Sequence, residues 1–414
     1  MRPVSAPSKP SSSRRGFARV LAAEGVSNFG SMLSRLAIPW IATLLLGVSP
    51  LQMGGLLVAE VLAGAVGSLW LGGWVDRRPK RVVMLLCDAL RAAVLLLMLV
   101  MVALHALGFA TLLLLAAASG CLTMAFELAR SAWMAQSVAV EQLPRRNSQL
   151  AMTGSMSEAA AFALGGWIFQ AWGAALALAV DALSYLLSAL CLRGVAESPP
   201  VDAETRHGRR HFGFDAIVGL RAVASRPLLR ALAGIEVLRA LTLSITGTSY
   251  MIFVARDIGF GTGAIGTIAA TGGLGALAGA AVAPLLGRRL GRGWAMVLGL
   301  ALFAAGALCL PLLAASGAAG ITLLVAHQIT GDAGHTLHDV HDRTLRQTAV
   351  PPALLARADA GLRTVAQVAT LAGALGGGAL ANALGARSAL LSAAALAALA
   401  SVLAALTLTR HSSA

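Results

Sequence analysis

Charge and aromatic surface are what this chain has least of. Only 12% of its 414 residues are charged and 5% are aromatic, with two tyrosines among them. A soluble domain carries roughly twice that share of charge, so a water-exposed surface over most of the chain is excluded. The four cysteines, Cys87, Cys121, Cys191 and Cys309, lie in separate apolar runs. That spacing excludes a disulfide framework and a cysteine metal site. No Gly-x-x-x-x-Gly-Lys-Ser/Thr phosphate loop occurs, so ATP is not the direct source of energy. No Ser, His and Asp set stands in a plausible soluble pocket. No enzyme is expected, and neither a cofactor nor a resident metal is. Residues 1–16 are rich in Pro, Ser and Arg and lack an apolar core. They read as a disordered cytoplasmic tail rather than a cleaved signal peptide.

What the chain does have is apolar length. Hydrophobic residues make up 57%, and the mean hydropathy is +0.78. A membrane span needs about 20 apolar residues, and roughly a dozen such runs follow one another with short links. Their length and lack of alternation point to helices rather than barrel strands. The expected spans are 17–46, 51–74, 82–105, 108–137, 147–171, 175–194, 228–255, 262–286, 294–315, 319–345, 353–382 and 386–408. The net charge of +14 is no sign of nucleic-acid binding, because the arginines fall in alternate links and form no stripe. Even-numbered links are basic and odd-numbered ones nearly free of cations, apart from Arg256 and Arg387. Counting them puts both termini in the cytoplasm. The expectation is therefore an all-α, multi-pass protein of a bacterial-type inner membrane, a monomer in the lipid bilayer. The long break at 195–227 divides it into bundles at 17–194 and 228–409, and 212–223 reads as a short amphipathic helix.

The link after the second span is the most individual stretch. Leu-Trp-Leu-Gly-Gly-Trp-Val-Asp-Arg-Arg-Pro-Lys-Arg, residues 69–81, ends one apolar run and opens the next. Such a link makes its two helices antiparallel neighbours. It resembles the signature Gly-x-Leu-Ala-Asp-Arg-x-Gly-Arg-Lys of the major facilitator superfamily. Gly72, Asp76 and Arg77 match, Lys80 and Arg81 match in charge, and Trp74, Val75 and Pro79 replace the leucine, the alanine and the second glycine. Arg288-Arg289-Leu290-Gly291-Arg292 holds the same place in the second half, a faint internal repeat. Val26 to Ala37, Asp181 to Leu190, Leu345-Arg346-Gln347 with Pro351, and Gly373 to Gly378 resemble the macrolide-efflux and enterobactin-exporter branch. The resemblance covers about residues 17–408. It implies twelve helices in two pseudo-symmetric bundles and secondary export of a drug or metabolite, usually driven by proton entry. One departure stands out. Drug–proton antiporters carry Gly-Pro-x-x-Gly-Gly in the fifth helix, where this chain has Ala161-Phe162-Ala163-Leu164-Gly165-Gly166.

Ionisable residues inside spans are costly, so each is a functional candidate. Asp88 with Arg91 and Glu127 with Arg130 are i,i+3 pairs near the cytoplasmic ends of spans three and four. With Gly72, Asp76, Arg77, Lys80 and Arg81 they read as an inner gate. Static pairs that set helix packing are the alternative. Glu60, Glu158 and Asp332 fall nearer the midplane and are the candidate proton carriers. Glu24 and Arg35, three turns apart on one face, join Glu236, Arg239, Gln328 and His335 as candidate cavity residues. In span ten, Gln328, Asp332, His335, Asp339, Asp342 and Arg346 share one polar stripe. It reads as a proton relay, a surface for a polar or metal-chelating substrate, or a transient metal site, while His338 to Asp342 fit equally well a hydrated cytoplasmic mouth. Single aromatics such as Trp40, Phe126, Trp133, Phe162, Trp167 and Phe253 are more often packing than cavity residues. The function expected is a proton-coupled exporter of a small organic compound. An exporter of an anionic, siderophore-like chelate is the second reading, and a non-transporting sensor on the same scaffold the third.

Overall fold

A computed structural model describes residues 14–139, 142–197, 219–350 and 352–409. The tail up to residue 13 and most of the expected linker, with the first part of 212–223, lie outside the described residues. So do the side chains of Gly72, Asp76 and Glu158. The described residues form helices and no strand. In order they are α1 (Arg14–Trp40), α2 (Pro50–Arg77), α3 (Lys80–Ala103) and α4 (Phe109–Ser137). The helical run Leu143–Arg193 breaks at Gly173 into α5, 143–172, and α6, 174–193. After it come α7 (Pro227–Met251), α8 (Thr262–Leu290), α9 (Arg292–Cys309), α10 (Ala318–Ala349), α11 (Pro352–Leu384) and α12 (Ala386–Leu408). Residues 219–224 are also helical.

Eight of these helices are long and apolar enough to cross a membrane. In lipid a helix satisfies its own backbone, and this dictates the architecture. α1, α5, α7 and α10 fall short of that mark. Among them α1 carries Glu24 and Arg35, α7 carries Glu236 and Arg239, and α10 carries the polar stripe of 328–346. Their deficit in hydropathy is the mark of charges placed inside the protein rather than against lipid.

A repeat of 212 residues runs through the joints. α1 ends in a π-helical turn, Ile41–Leu45, and α7 in another, Ile252–Asp257. In the first, Leu46 N–H donates to Ile41 O and Val48 N–H to Ala42 O. In the second, Ile258 N–H donates to Phe253 O and Phe260 N–H to Val254 O. Gly47 and Gly259 sit inside these caps with φ of 59° and 83°, a left-handed conformation that costs glycine nothing. The tight joint at Gly173 (φ 73°) has its counterpart at Gly385 (φ 86°). Pro50 and Thr262 open α2 and α8, and Lys80 and Arg292 open α3 and α9, at the same spacing. The link expected at 172–174 thus narrows to one glycine.

The chain resolves into two compact units. Unit 1 comprises Met1–Ile38, Ala59–Ala161 and Trp172–Gly208; unit 2 comprises Pro39–Val58, Phe162–Ala171 and Arg209–Ala414. Unit 1 has a core of Phe17, Val20, Met84, Phe126 and Trp133. Within unit 2, α10 packs between α8 and α9 with almost no side chain at the crossings. A Cβ on Gly275 would lie 2.4 Å from Ile329 O, one on Gly279 2.3 Å from Ala333 O, and one on Gly334 2.4 Å from Gly299 O. Small residues let membrane helices approach to this distance, and dispersion holds them there. The segment 39–58 belongs to this unit because Trp40 joins its core, and a Cβ on Gly54 would lie 2.2 Å from Ala374 O.

Candidate functional site

In unit 1 the polar residues of α1, α3, α4 and α6 meet in one buried knot. Arg91 donates from Nη2 to Asp88 Oδ1 at 2.5 Å, and Ser188 Oγ donates to Asp88 Oδ2 at 2.7 Å. The guanidinium carbon of Arg91 stands 4.4 Å from the Phe126 ring centre and 4.3 Å from that of Tyr185. A cation between two ring faces is held by both quadrupoles. The hydroxyls of Tyr185 and Ser31 are 2.9 Å apart. Asp88 is 0% and Arg91 4% exposed, so this pair is desolvated and neutralises itself on one helix.

The second pair differs from the expectation. Arg130 does not bind Glu127 of its own helix; it donates to Glu24 of α1. Glu127 is exposed. The i,i+3 spacing allowed the local pair, but a partner on α1 offers burial that the helix surface cannot. Arg35 is exposed, and its charge acts on Glu60 of α2. Glu24 thus has an ion-pair partner on α4, whereas Arg35 makes no ion pair among the described residues.

The hinge side chains knit one end of unit 1. Lys80 Nζ, buried, donates to Val75 O at 2.8 Å and Arg78 O at 3.0 Å. It caps the last carbonyls of α2, where a cation is favoured. Arg81 N–H donates to Glu197 Oε1 at 3.2 Å, and the Arg81 guanidinium donates to Arg193 O. Arg77 is exposed.

In unit 2 the stripe of α10 is divided among its neighbours. Arg239 of α7 donates to Asp339 Oδ1 at 2.6 Å and to His335 Nδ1 at 3.4 Å, with Glu236 Oε2 3.7 Å away. Arg346 pairs with Asp342 at 2.8 Å and with Asp359 of α11. Gln328 Nε2 points to Ala269 O at 3.4 Å. A Cβ on Gly272 would lie 2.1 Å from Asp332 Oδ2, so this glycine makes the room the acid occupies. The histidines off the stripe bind helix to helix. His327 Nδ1 donates to Gly306 O at 2.9 Å and His341 Nε2 to Ala283 O at 3.0 Å. His338 and His341 are buried, which corrects the picture of a hydrated mouth: the glycines of α8 and α9 bring those helices over them. Among the described residues no group of three or more His, Cys, Asp or Glu could hold a metal ion.

The stripe signal found the residues of α10, and local charge spacing found Asp88–Arg91. Asp181 lies inside an expected span like the other acids, but no spacing along α6 shows what it meets. It is 1% exposed. It accepts from Ser184 Oγ at 3.2 Å and lies beside Ser34 of α1.

The family model of the Major Facilitator Superfamily matches residues 20–334, and the chain belongs to that superfamily. It is a membrane transporter of the alternating-access type rather than an enzyme. Solved structures with the same fold include the nucleoside transporter NupG, at 13% identity, TM-score 0.70 and coverage of 95% of this chain and 99% of that one. A bacterial homologue of the iron transporter ferroportin, in an inward-facing state, matches at 17%, 0.72, 95% and 98%. A bacterial metal transporter matches at 18%, 0.68, 96% and 99%. No curated protein sequence matches.

Proposed function

We propose that this transporter is a proton-coupled exporter of a small organic compound, with Glu60 and Asp332 as matched proton-coupling acids and Glu158 as a third. One observation carries the reading. Glu60 and Gly272 are 212 residues apart, and so are Gly120 and Asp332. In unit 1 the backbone of Glu60 on α2 meets a glycine of α4, where a Cβ would lie 2.2 Å from Glu60 O; in unit 2 a glycine on α8 meets the side chain of Asp332 on α10. Each half thus has one acidic residue at the same helix crossing, contributed from opposite sides. Both acids lie about 25 Å from the C-terminal end of their helix and about 15 to 21 Å from the other, at 1.5 Å per residue. Carboxyl groups at such depth are retained for transport chemistry rather than for packing. Both termini and the basic hinge face the cytoplasm in this reading, and the hinge with Asp88, Arg91, Glu24 and Arg130 forms the gate on that side.

A second reading, an exporter of anionic or chelating metabolites, has its own support. Arg35 is exposed and makes no ion pair among the described residues, which is what recognition of an anion needs. The experiment is proton flux in proteoliposomes offered a macrolide, a lipophilic cation or a catecholate siderophore, with and without a pH gradient. External alkalinisation with one compound, lost when Glu60 and Glu158 are both changed to Gln, supports the proposal. The siderophore as that compound selects the second reading, with Arg35→Gln abolishing its transport. Unchanged proton-dependent transport in the double variant removes Glu60 and Glu158 from the mechanism.

A further inference from the structure

We infer that Asp181 is a further proton-carrying group, one that takes up and releases a proton at the α1–α6 contact of unit 1. The inference rests on the proton-coupled reading above and adds a residue to it. Asp181 stands about 12 Å from Gly173 and about 18 Å from Arg193 along α6, at 1.5 Å per residue, well inside the helix. Asp88 and Glu24 are each ion-paired; Asp181 makes no ion pair among the described residues. Its partners are hydroxyls. Ser184 Oγ donates to Asp181 O at 2.8 Å and lies 3.2 Å from Oδ1, and Ser34 of α1, buried beside the carboxyl, has no hydrogen-bond partner among the described residues. A hydroxyl can donate to a carboxylate or accept from a carboxylic acid, so these two hydroxyls suit either protonation state. An arginine partner could serve only the ionised form. The charged or titratable groups facing Asp181 are Arg91 of α3 and Tyr185 of α6; α1 contributes only Ser34 and the bare backbone at Gly30.

The repeat shows that the acid is dispensable for packing. The position 212 residues on is Ala393, fully buried in α12. The position equivalent to Gly30 is Thr242, whose Oγ1 donates to Ala393 O at 3.2 Å. The same crossing is therefore built in unit 2 without a carboxyl group. In unit 1, α1 presents Gly30, and a Cβ there would lie 2.5 Å from Asp181 Oδ1 and 2.1 Å from Ser184 Oγ. The α1 backbone rests on the titrating group itself, so proton uptake, which turns the carboxylate into a neutral acid that donates to Ser34, is felt directly by α1.

The test needs no substrate. Infrared difference spectra of the purified protein, stepped between alkaline and acidic buffer, report protonated carboxyl groups through their C=O stretch. The wild type is expected to show a band from a buried acid that vanishes in Asp181→Asn and shifts in Ser34→Ala, which removes one hydroxyl partner and keeps the acid. An identical band in Asp181→Asn overturns the inference, as does a band in the wild type that follows sodium rather than pH. Asp181→Asn is isosteric with the protonated acid, so it retains the fold. In the flux assay it is expected to lose substrate-driven proton movement by tenfold or more, about the factor that 1.4 kcal/mol represents, while keeping substrate exchange without a gradient. Wild-type flux that persists in Asp181→Asn sinks this inference alone; a wild type that moves no proton with any compound sinks the coupled reading.

Discussion

The two halves use one frame and fill it with opposite chemistry. In unit 1, Asp88 accepts from Ser188, and Arg91 lies against Tyr185. The residues 212 positions on are Leu300 with Ala400 and Phe303 with Ala397. All four are buried in apolar clusters. Asp181 has Ala393 as its counterpart. The hydrophobic set closes unit 2 without a buried charge at these places. A buried ion pair is weak evidence for stability, because desolvation offsets most of its Coulomb energy. Since the frame packs well with leucine, phenylalanine and alanine in unit 2, packing alone does not call for the ionic set of unit 1. Unit 2 keeps its charges elsewhere, on α7, α10 and α11, where Glu236, Asp339 and Asp359 are a third or more exposed at the side chain or nearly so.

Breaking one partner of the buried pair gives the largest effect. Arg91→Leu leaves Asp88 in an apolar surround and is expected to cost about 3–5 kcal/mol, read as a lowered unfolding midpoint in micelles. Phe303→Leu, at the equivalent place in unit 2, should cost far less than that. Overpacking comes next. Gly334→Val drives side-chain atoms into α9 and should destabilise by about 1–3 kcal/mol, measured in the same way. Transplanting the apolar set into unit 1 sharpens the comparison further. The variant Asp88→Leu, Arg91→Phe, Asp181→Ala, Tyr185→Ala, Ser188→Ala is expected to stay within about 1–2 kcal/mol of the wild type while losing proton-coupled transport. Collapse of its unfolding midpoint would show that the ionic set holds the fold after all. The smallest effect belongs to Asp359→Asn. Its carboxylate is 40% exposed, and solvent screening limits the loss to under about 1 kcal/mol, a difference visible only by a direct paired comparison.

Much of this was legible along the chain. Apolar runs, the basic hinge and the polar stripe of α10 come from local order, because spans, links and helix faces are each determined within a few turns. The i,i+3 pair Asp88–Arg91 was readable for the same reason. Glu127 with Arg130 followed the same spacing and was overridden by Glu24, 106 residues away. Neither Asp181 nor the reciprocal placement of Glu60 and Asp332 could be read, since each acquires meaning only from the helix laid against it.

The sequence by itself determined that the chain is helical, that it belongs in a membrane, and which helices carry the costly charges. Hydropathy, helical periodicity and the spacing of cations are properties of short stretches, and lipid enforces them segment by segment. Tertiary structure decided which acid meets which base, which histidines are packing residues, and which glycines make room for a carboxyl group. Those outcomes depend on atoms brought within about 3 Å by helix packing, between residues that lie as far apart in the chain as Ser31 and Tyr185.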